Sequence, residues 1–382
     1  VPAKTVYYAS VGPALTLYDI DIEGAALTRR STVTLPANIQ YAWPHPSKRF
    51  LYVVSSSGGP GIAGDKHYAN ALTIDPASGA LALHGAPVPL PSRPIHTSLD
   101  AKGEFLLTAY NAPSNITVHR VNADGTIGAE VAQPNKLDTG IYAHQILAAP
   151  GNRVVILVTR GNNAGDGKRE DPGAIKTYRF DHGVLTNLAS IAPGNGLGFG
   201  PRHLDFHPTA PLAFVSIERQ NKLFVYRLDD DTGLAREPSF TAETLANPAS
   251  PAPQGAGPIH VHPNGKFVYV TNRTFPASGP HSRIIAQGGE NSVAVFAIDP
   301  ATGAPKHLQN LDGRGIQLRT FGIDPSGRLL VVASIMSLAD GTLPAGITVM
   351  RIAADGTLSF VRKYDIDVGD KQQFWTGMVT LP

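Results

Sequence analysis

RHLDFHPTAPLAFVSIERQNKLFVY, residues 202–226, contains most of one structural repeat. HLDF alternates like a short strand, HPTA is a tight turn, and PLAFVSIE is a second, almost wholly apolar strand. RQN is a bend and KLFVYRL a third strand. A fourth strand is expected after the DDDTG turn. The unit is therefore a four-stranded antiparallel meander, and it carries Arg202, His203 and Glu218.

Two turn signals repeat along the chain. The first, of the type HP-x-G, appears as HPSK (45–48), DAKG (100–103), APGN (149–152), HPTA (207–210), HPNG (262–265) and DPSG (324–327). An apolar strand follows each copy: FLYVVS, FLLTAY, VVILVT, LAFVSI, FVYVTN and LLVVAS. Runs this apolar are buried on both faces or nearly so. The second signal is a hairpin turn, seen as IEG, DPASG, ADG, DHG, DDTG, DPATG and ADG. Seven hairpin turns against six HP-x-G turns leave the first unit without an opening strand, and QFWTGMVTLP at the C-terminus can supply it. Seven meanders of roughly 50 residues, with the chain ends sharing one unit, predict an all-β, seven-bladed β-propeller. One such domain is expected over residues 1–382, its ring closed by the C-terminal strand so that no sheet edge is left open.

Composition agrees with that reading. The 382 residues include 39 Gly and 32 Pro, 42% are hydrophobic and only 16% are charged. Many short strands with frequent turns fit this better than helices. The net charge of +2 and the lack of any Lys/Arg block give no argument for nucleic acid. The sequence has no run of 18 apolar residues that would span a membrane. With no Cys, disulfides, thiolate metal sites and Cys nucleophiles are excluded. The chain starts at Val1 without Met, which fits either a removed tag or a cleaved export signal, so a soluble protein of the cytoplasm or periplasm is expected.

Three connections are long and polar: 55–70, 160–174 and 273–291. Each follows the second strand of a blade, so all three emerge on one face of the disc, opposite the HP-x-G turns. Long loops carry function, which makes that face the expected working side.

Counting from the repeated turn locates equivalent positions. Eight residues past it, at the end of the second strand, lie Ser56, Asn111, Arg160, Glu218, Arg273 and Ile335. Four residues before it, where the innermost strands are expected to begin, lie Tyr41, His96, Gln145, His203, Pro258 and Thr320, with His144, Arg202 and Arg319 one residue earlier. Both rings should converge on the mouth of the central channel. His45, His207 and His262 fall in the turns of the other face and read as structural, while His260 is left open. A G-x-S-x-G elbow and an H-E-x-x-H motif are both missing. No metal is expected, because Arg160 and Arg273 occupy the blades flanking Glu218 and would compete with a cation. Two guanidiniums beside one carboxylate suit an anionic ligand instead.

The HP-x-G and D-P-x-T-G turns, GPRHLDFHP (200–208) and GPIHVHPNGKFVYVTNR (257–273) resemble the seven-bladed propeller lactonase family. That family includes bacterial propeller-type 6-phosphogluconolactonases and the fungal 3-carboxy-cis,cis-muconate lactonising enzyme. The resemblance runs along essentially the whole chain. It implies that a His, two Arg and a Glu at the channel mouth fall here on His144 in AHQI, Arg202 in GPRH, Arg273 in VTNR and Glu218 in SIER.

The expected activity is hydrolysis of a small anionic or sugar-type lactone, placing the protein in carbohydrate metabolism. Ring opening needs a general base for water and a positive group for the developing oxyanion. His144 or His203 is the expected base, as an unperturbed imidazole titrates near pH ~6.5. Glu218 is expected to orient a His, an Arg or the water, while Arg202 and Arg273 hold the substrate and polarise its carbonyl. His96, Asn111, Arg160, Tyr41 and Arg319 are expected to bind substrate. No cofactor and no macromolecular partner are expected, and a closed ring has no need to pair edges, so a monomer is expected. The alternatives are a lactonising cycloisomerase of the carboxymuconate type, a non-enzymatic propeller platform, and a metal-dependent sugar lactonase using Glu218 and Asn111.

Overall fold

Val, Leu and aromatic residues on consecutive positions make the second strand of each repeat insoluble on both faces, and each such strand ends up inside a sheet. Leu51, Tyr52, Val53 and Val54 are fully buried, as are Val268, Tyr269 and Val270. The computed structural model describes residues 4–278 and 284–382. Among the described residues it contains seven antiparallel blade sheets, six of four strands and one, blade 5, of five, numbered here as blades 1 to 7. The innermost strands of blades 2 to 7 are Asn38–Pro44, Pro94–Leu99, Ala143–Ala148, Pro201–Phe206, Gln254–Val261 and Ile316–Ile323. In blade 1 the innermost strand is Thr376–Thr380, which pairs antiparallel with Thr5–Val11. The expected ring closure is therefore present. It also explains the missing first HP-x-G turn: in blade 1 that position is occupied by the two ends of the chain.

The core is divided among the junctions between blades. Seven apolar clusters each join one blade to the next, from Val6, Tyr8 and Leu17 against Leu51 and Val53 between blades 1 and 2 to Tyr7 and Ala9 against Val331 and Val349 between blades 7 and 1. Fully burying a Val or Leu side chain stabilises by about 1.5–3 kcal/mol, so these junctions hold the ring together.

Polar latches between blades account for the repeated turns. His207 Nδ1 accepts the N–H groups of Thr209 and Ala210, which leaves the proton on Nε2, and Nε2 donates to the Gly265 carbonyl of the next blade at 2.9 Å. His45 makes the same latch to Gly103 at 3.2 Å and His262 to Gly327 at 2.9 Å. Gly265 has a φ of 71°, and an added Cβ would stand 2.6 Å from His207 Nε2. The three turn histidines are structural, as their position in the repeat implied. Blade 5 departs from the plain meander. Its fourth strand is split into Gly233–Leu234 and Phe240–Glu243, with Pro238, which has no N–H to offer the ladder, in the intervening segment.

Three of the longest links between second and third strands, 57–66, 160–173 and 275–291, leave from the same ends of their blades. The last includes residues 279–283, which lie outside the described residues. In the second, Glu170 accepts the Gly198 N–H at 2.6 Å and pairs with Arg219, drawing the loop down over blade 5.

Candidate functional site at the channel mouth

The innermost strands begin earlier than the turn count suggested, and each carries an irregularity inside it. Register shifts occur between Ile39 and Tyr41, Pro94 and His96, Ala143 and Gln145, Pro201 and His203, Ala256 and Ile259, and Leu318 and Thr320. The extra residues in five of these bulges are Gln40, Ile95, His144, Arg202 and Arg319. A β-bulge re-aims a side chain that regular pleating would send elsewhere. In blades 4, 5 and 7 the residue two places earlier is left-handed: Tyr142 has a φ of 59°, Gly200 of 53° and Gln317 of 56°. These are the blades whose bulge residue is His144, Arg202 or Arg319. A left-handed Tyr or Gln costs on the order of 1–3 kcal/mol and persists only where its surroundings hold it.

Glu218 is the centre of the arrangement. It follows the second strand of blade 5, Leu212–Ile217, at the start of a short 3-10 turn, and it is buried. Its Oε2 accepts from Arg160 Nε at 3.0 Å and lies 3.7 Å from Arg202 Nε, while its Oε1 accepts from Arg273 Nη2 at 3.0 Å. Blades 4, 5 and 6 thus send arginines to one carboxylate. Gly255 and Gly257 make room for this: a Cβ on Gly255 would stand 2.8 Å from Glu218 Cγ, and one on Gly257 3.3 Å from Arg273 Cδ. Arg273 Nη1 also donates to Gln317 Oε1 at 3.3 Å, and its guanidinium lies 5.7 Å from the Phe275 ring centroid. Arg160 lies over Tyr142 at 5.3 Å. Burial alone would raise the Glu218 pKa, but Arg273, Arg160, Arg202 and Arg319 together hold it below the ordinary 4.5, so it is ionised at neutral pH.

The histidines adjoin this knot. The His144 and His203 ring centroids are 5.0 Å apart, those of His203 and His96 5.8 Å, and Tyr41 stacks on His96 at 4.1 Å. All three imidazoles are buried. His96 Nδ1 accepts the Ile146 N–H at 3.4 Å, so its proton sits on Nε2. The expectation that His144 and His203 titrate near the usual imidazole value does not hold. Burial first, and Arg202 second, push both well below 6.5, and His96 falls to about 3 for the same two reasons. All three are neutral at pH 7.

Several donors and acceptors in this cluster make no hydrogen bond among the described residues: Arg202 Nε, which only pairs with Glu218 at 3.7 Å, Arg202 Nη1, Arg273 Nε, His96 Nε2 and His144 Nδ1. Arg202 is also among the largest fully buried side chains of the protein. Burial, then Arg273 and Arg319, lower its pKa well below the guanidinium value, against the pull of Glu218. Buried polar groups in this number call for a ligand or ordered water.

Of the residues singled out by counting, Tyr41, His96, His144, Arg160, Arg202, His203, Glu218, Arg273 and Arg319 come together. Asn111 ends the second strand of blade 3 as expected but has no hydrogen bond or ion pair to the cluster among the described residues. Gln317, Tyr142 and Trp375, which approaches Tyr41 at 6.4 Å, were not anticipated. Both Glu218 oxygens face guanidiniums, an arrangement that repels a divalent cation and disfavours the metal-dependent alternative. A cavity of about 640 Å³ fills the central channel but opens on the turn face, and its lining is mostly apolar, including Trp43, Phe206, Phe321 and Met378. Of the cluster only Tyr41 lines this cavity, together with Trp375; the arginines, Glu218 and the three histidines do not. His260 lines this channel, with Nδ1 3.5 Å from Asp205 Oδ2, and does not join the cluster.

A seven-bladed propeller closed by its own termini, with arginines, a carboxylate and histidines buried together where the innermost strands begin, defines a class of protein. Residues 5–368 match the family described as "Lactonase, 7-bladed beta-propeller", and the chain belongs to that family. It is 27% identical over 327 residues to the 6-phosphogluconolactonase of Bacillus subtilis, covering 83% of each chain. It is 26% identical over 372 residues to the 6-phosphogluconolactonase of Yersinia pestis, covering 96% of each. The periplasmic gluconolactonase of Pseudomonas aeruginosa has the same fold, with a TM-score of 0.76 at 21% identity over 99% of both chains. No helix among the described residues is long and apolar enough to cross a membrane.

Proposed function

We propose that the protein hydrolyses an anionic lactone at the loop-rich mouth of the channel. The observation that carries this reading is the set of buried N–H groups of Arg202 and Arg273 that make no hydrogen bond among the described residues, next to neutral imidazoles. The family and the names of its relatives support a lactone, and the charge balance supports one that is anionic. Four arginines act on a single carboxylate, so the mouth is cationic until an anion enters.

In this reading Arg202 and Arg273 hold the substrate and polarise its carbonyl. A neutral imidazole, His144 or His203, takes a proton from water as the water oxygen bonds to the carbonyl carbon. The negative charge passes to the carbonyl oxygen, where the guanidiniums and the His96 Nε2–H stabilise it. When the carbonyl re-forms, the ring C–O bond breaks and the leaving oxygen takes the proton back from the imidazolium. The product is a hydroxy acid whose carboxylate remains against the arginines. Glu218 fixes Arg160, Arg202 and Arg273 and is too acidic to serve as the base. The substrate's own charge assists, because an anion beside Arg202 offsets the field that helps to hold His144 and His203 neutral, and so raises their basicity.

Turnover of lactones in ¹⁸O-labelled water tests the reaction class. The proposal expects one label in the product carboxylate and one equivalent of acid per turnover. Isomerisation without label would assign the cycloisomerase instead.

A further inference from the structure

Beside the Glu218 knot stand two arginines, Arg93 and Arg319, to which the proposed reaction gives no part. Arg93 lies just before the innermost strand of blade 3 and is 7% exposed. Its Nε donates to Gln40 Oε1 at 2.8 Å, and its Nη2 is buried with no partner among the described residues. Its guanidinium lies over the Phe374 ring at 5.8 Å, and that of Arg319 lies over the same ring at 3.7 Å. Neither arginine is paired with a carboxylate among the described residues. Phe374 lies just before the innermost strand of blade 1, Gln40 is in blade 2 and Arg319 in blade 7, so this group continues from the Glu218 knot, with Arg319 in the field of both Arg273 and Arg93. A cleft of about 260 Å³ lies against Gln40 and Phe374; Asp370 and Lys371 also line it, and neither arginine does.

Two guanidiniums seldom share a buried aromatic platform without a counter-charge, since a buried charge is costly unless it is paired. The neighbouring knot shows how this protein supplies one when the pairing is internal, by placing Glu218 in contact with three arginines. Here the chain provides a neutral Gln40, which fixes the direction of Arg93 and leaves its Nη2 hydrogens free. Such an arrangement presents N–H donors that suit an oxyanion.

We infer that Arg93 and Arg319, seated on Phe374, bind a second oxyanion of the substrate, a phosphoryl or carboxylate group carried at the end remote from the reacting carbonyl. The inference rests on the lactonase reading for the position of that carbonyl. The occupant therefore carries two anionic groups once the ring is open, one against Arg202 and Arg273 and the other against Arg93 and Arg319. Arg93 becomes a determinant of specificity that acts on the remote end.

Calorimetric binding of three ring-opened acids tests this without requiring turnover. Gluconate has one anionic end, glucarate has carboxylates at both ends, and 6-phosphogluconate has a carboxylate and a phosphoryl group. The expected result is that at least one of the two-ended acids binds about tenfold or more tighter than gluconate. That ratio should fall below about threefold in both Arg93→Gln and Arg319→Gln, and Arg93→Lys should keep part of it. Tighter binding of both two-ended acids marks a general oxyanion site, and of 6-phosphogluconate alone a phosphoryl site. Equal binding of all three by the wild type, no binding of any, or a ratio that survives both Gln variants overturns the inference. Arg319→Gln and Arg93→Lys retain the test if Arg93→Gln does not fold. Failure of the lactonase reading shows separately, as absence of acid release from any lactone whatever the binding ratios.

Discussion

Arg273 Nη2 donates to Glu218 Oε1 at 3.0 Å, joining residues 55 positions apart on neighbouring blades. On the other side of the same carboxylate, Arg160 Nε reaches Oε2 at 3.0 Å across 58 positions. The knot ties blades 4, 5 and 6 together, so it bears on both the ring and the proposed chemistry.

Glu218→Gln should therefore damage stability as well as activity. It leaves three guanidiniums around a neutral amide, and removing one partner of a buried ion pair costs about 3–5 kcal/mol. Denaturant unfolding measures the loss, and added phosphate should recover part of it by binding the folded form. A loss under about 1 kcal/mol would contradict the central place given to this carboxylate.

Acid should weaken the fold in two stages. His144 and His203 are held below 6.5 in the folded protein, so the unfolded chain binds protons more readily as pH falls through 6.5. Their contribution is complete above 6.5 and is lost progressively below it. Glu218 is held below 4.5, so its contribution is complete above 4.5 and is lost as pH falls from there toward its lower folded value. Unfolding free energy followed from pH 8 downward should begin to fall below about pH 6.5 and fall further below about 4.5. Glu218→Gln should lack its share of the second stage.

The same depression bears on catalysis. For a base that is neutral in the free enzyme, kcat/KM should hold its value through pH 6.5, with its acid limb lying lower. A limb centred on 6.5 would mean that the base is an ordinary exposed imidazole and not His144 or His203.

The turn histidines provide a control on the opposite face. His207→Ala removes one latch to the Gly265 carbonyl and should cost about 1 kcal/mol, leaving turnover per folded molecule unchanged. Gly265→Ala should cost more, because it strains a φ of 71° and drives a Cβ against His207. Loss of turnover in folded His207→Ala would move the site to the turn face.

Ending the chain before Thr376 should remove the innermost strand of blade 1 and open the edge of Thr5–Val11. An open apolar edge invites pairing between chains. Size-exclusion chromatography should show aggregates in place of the wild-type species, and an unchanged elution profile would contradict the closure.

The blades were legible because turns recur at fixed places and the strands between them are apolar. The same count placed Glu218, Arg160 and Arg273 correctly at strand ends. His144, Arg202 and Arg319 were reached only as residues one position off the count, and the offset proves to be the bulge. Alternation assigns a bulged residue to the wrong face, so their convergence could not be read from pattern alone. Tyr142 and Gln317 escaped because a left-handed Tyr or Gln leaves no mark in a sequence. Arg93 escaped because it lies in neither counted register. The low basicity of the histidines depends on burial and on Arg202, neither of which sequence spacing reports.

Acid release in a pH-stat, with 6-phosphogluconolactone, unphosphorylated sugar lactones, small aliphatic lactones and a muconolactone, tests the central claim most directly. Wild type, His144→Ala, Arg202→Ala, Arg273→Ala and His207→Ala should be run side by side. The account predicts turnover of at least one anionic lactone by the wild type, kept by folded His207→Ala and reduced about 100-fold or more in the other three. Equal loss in all four variants, or no turnover of any lactone by the wild type, would contradict it.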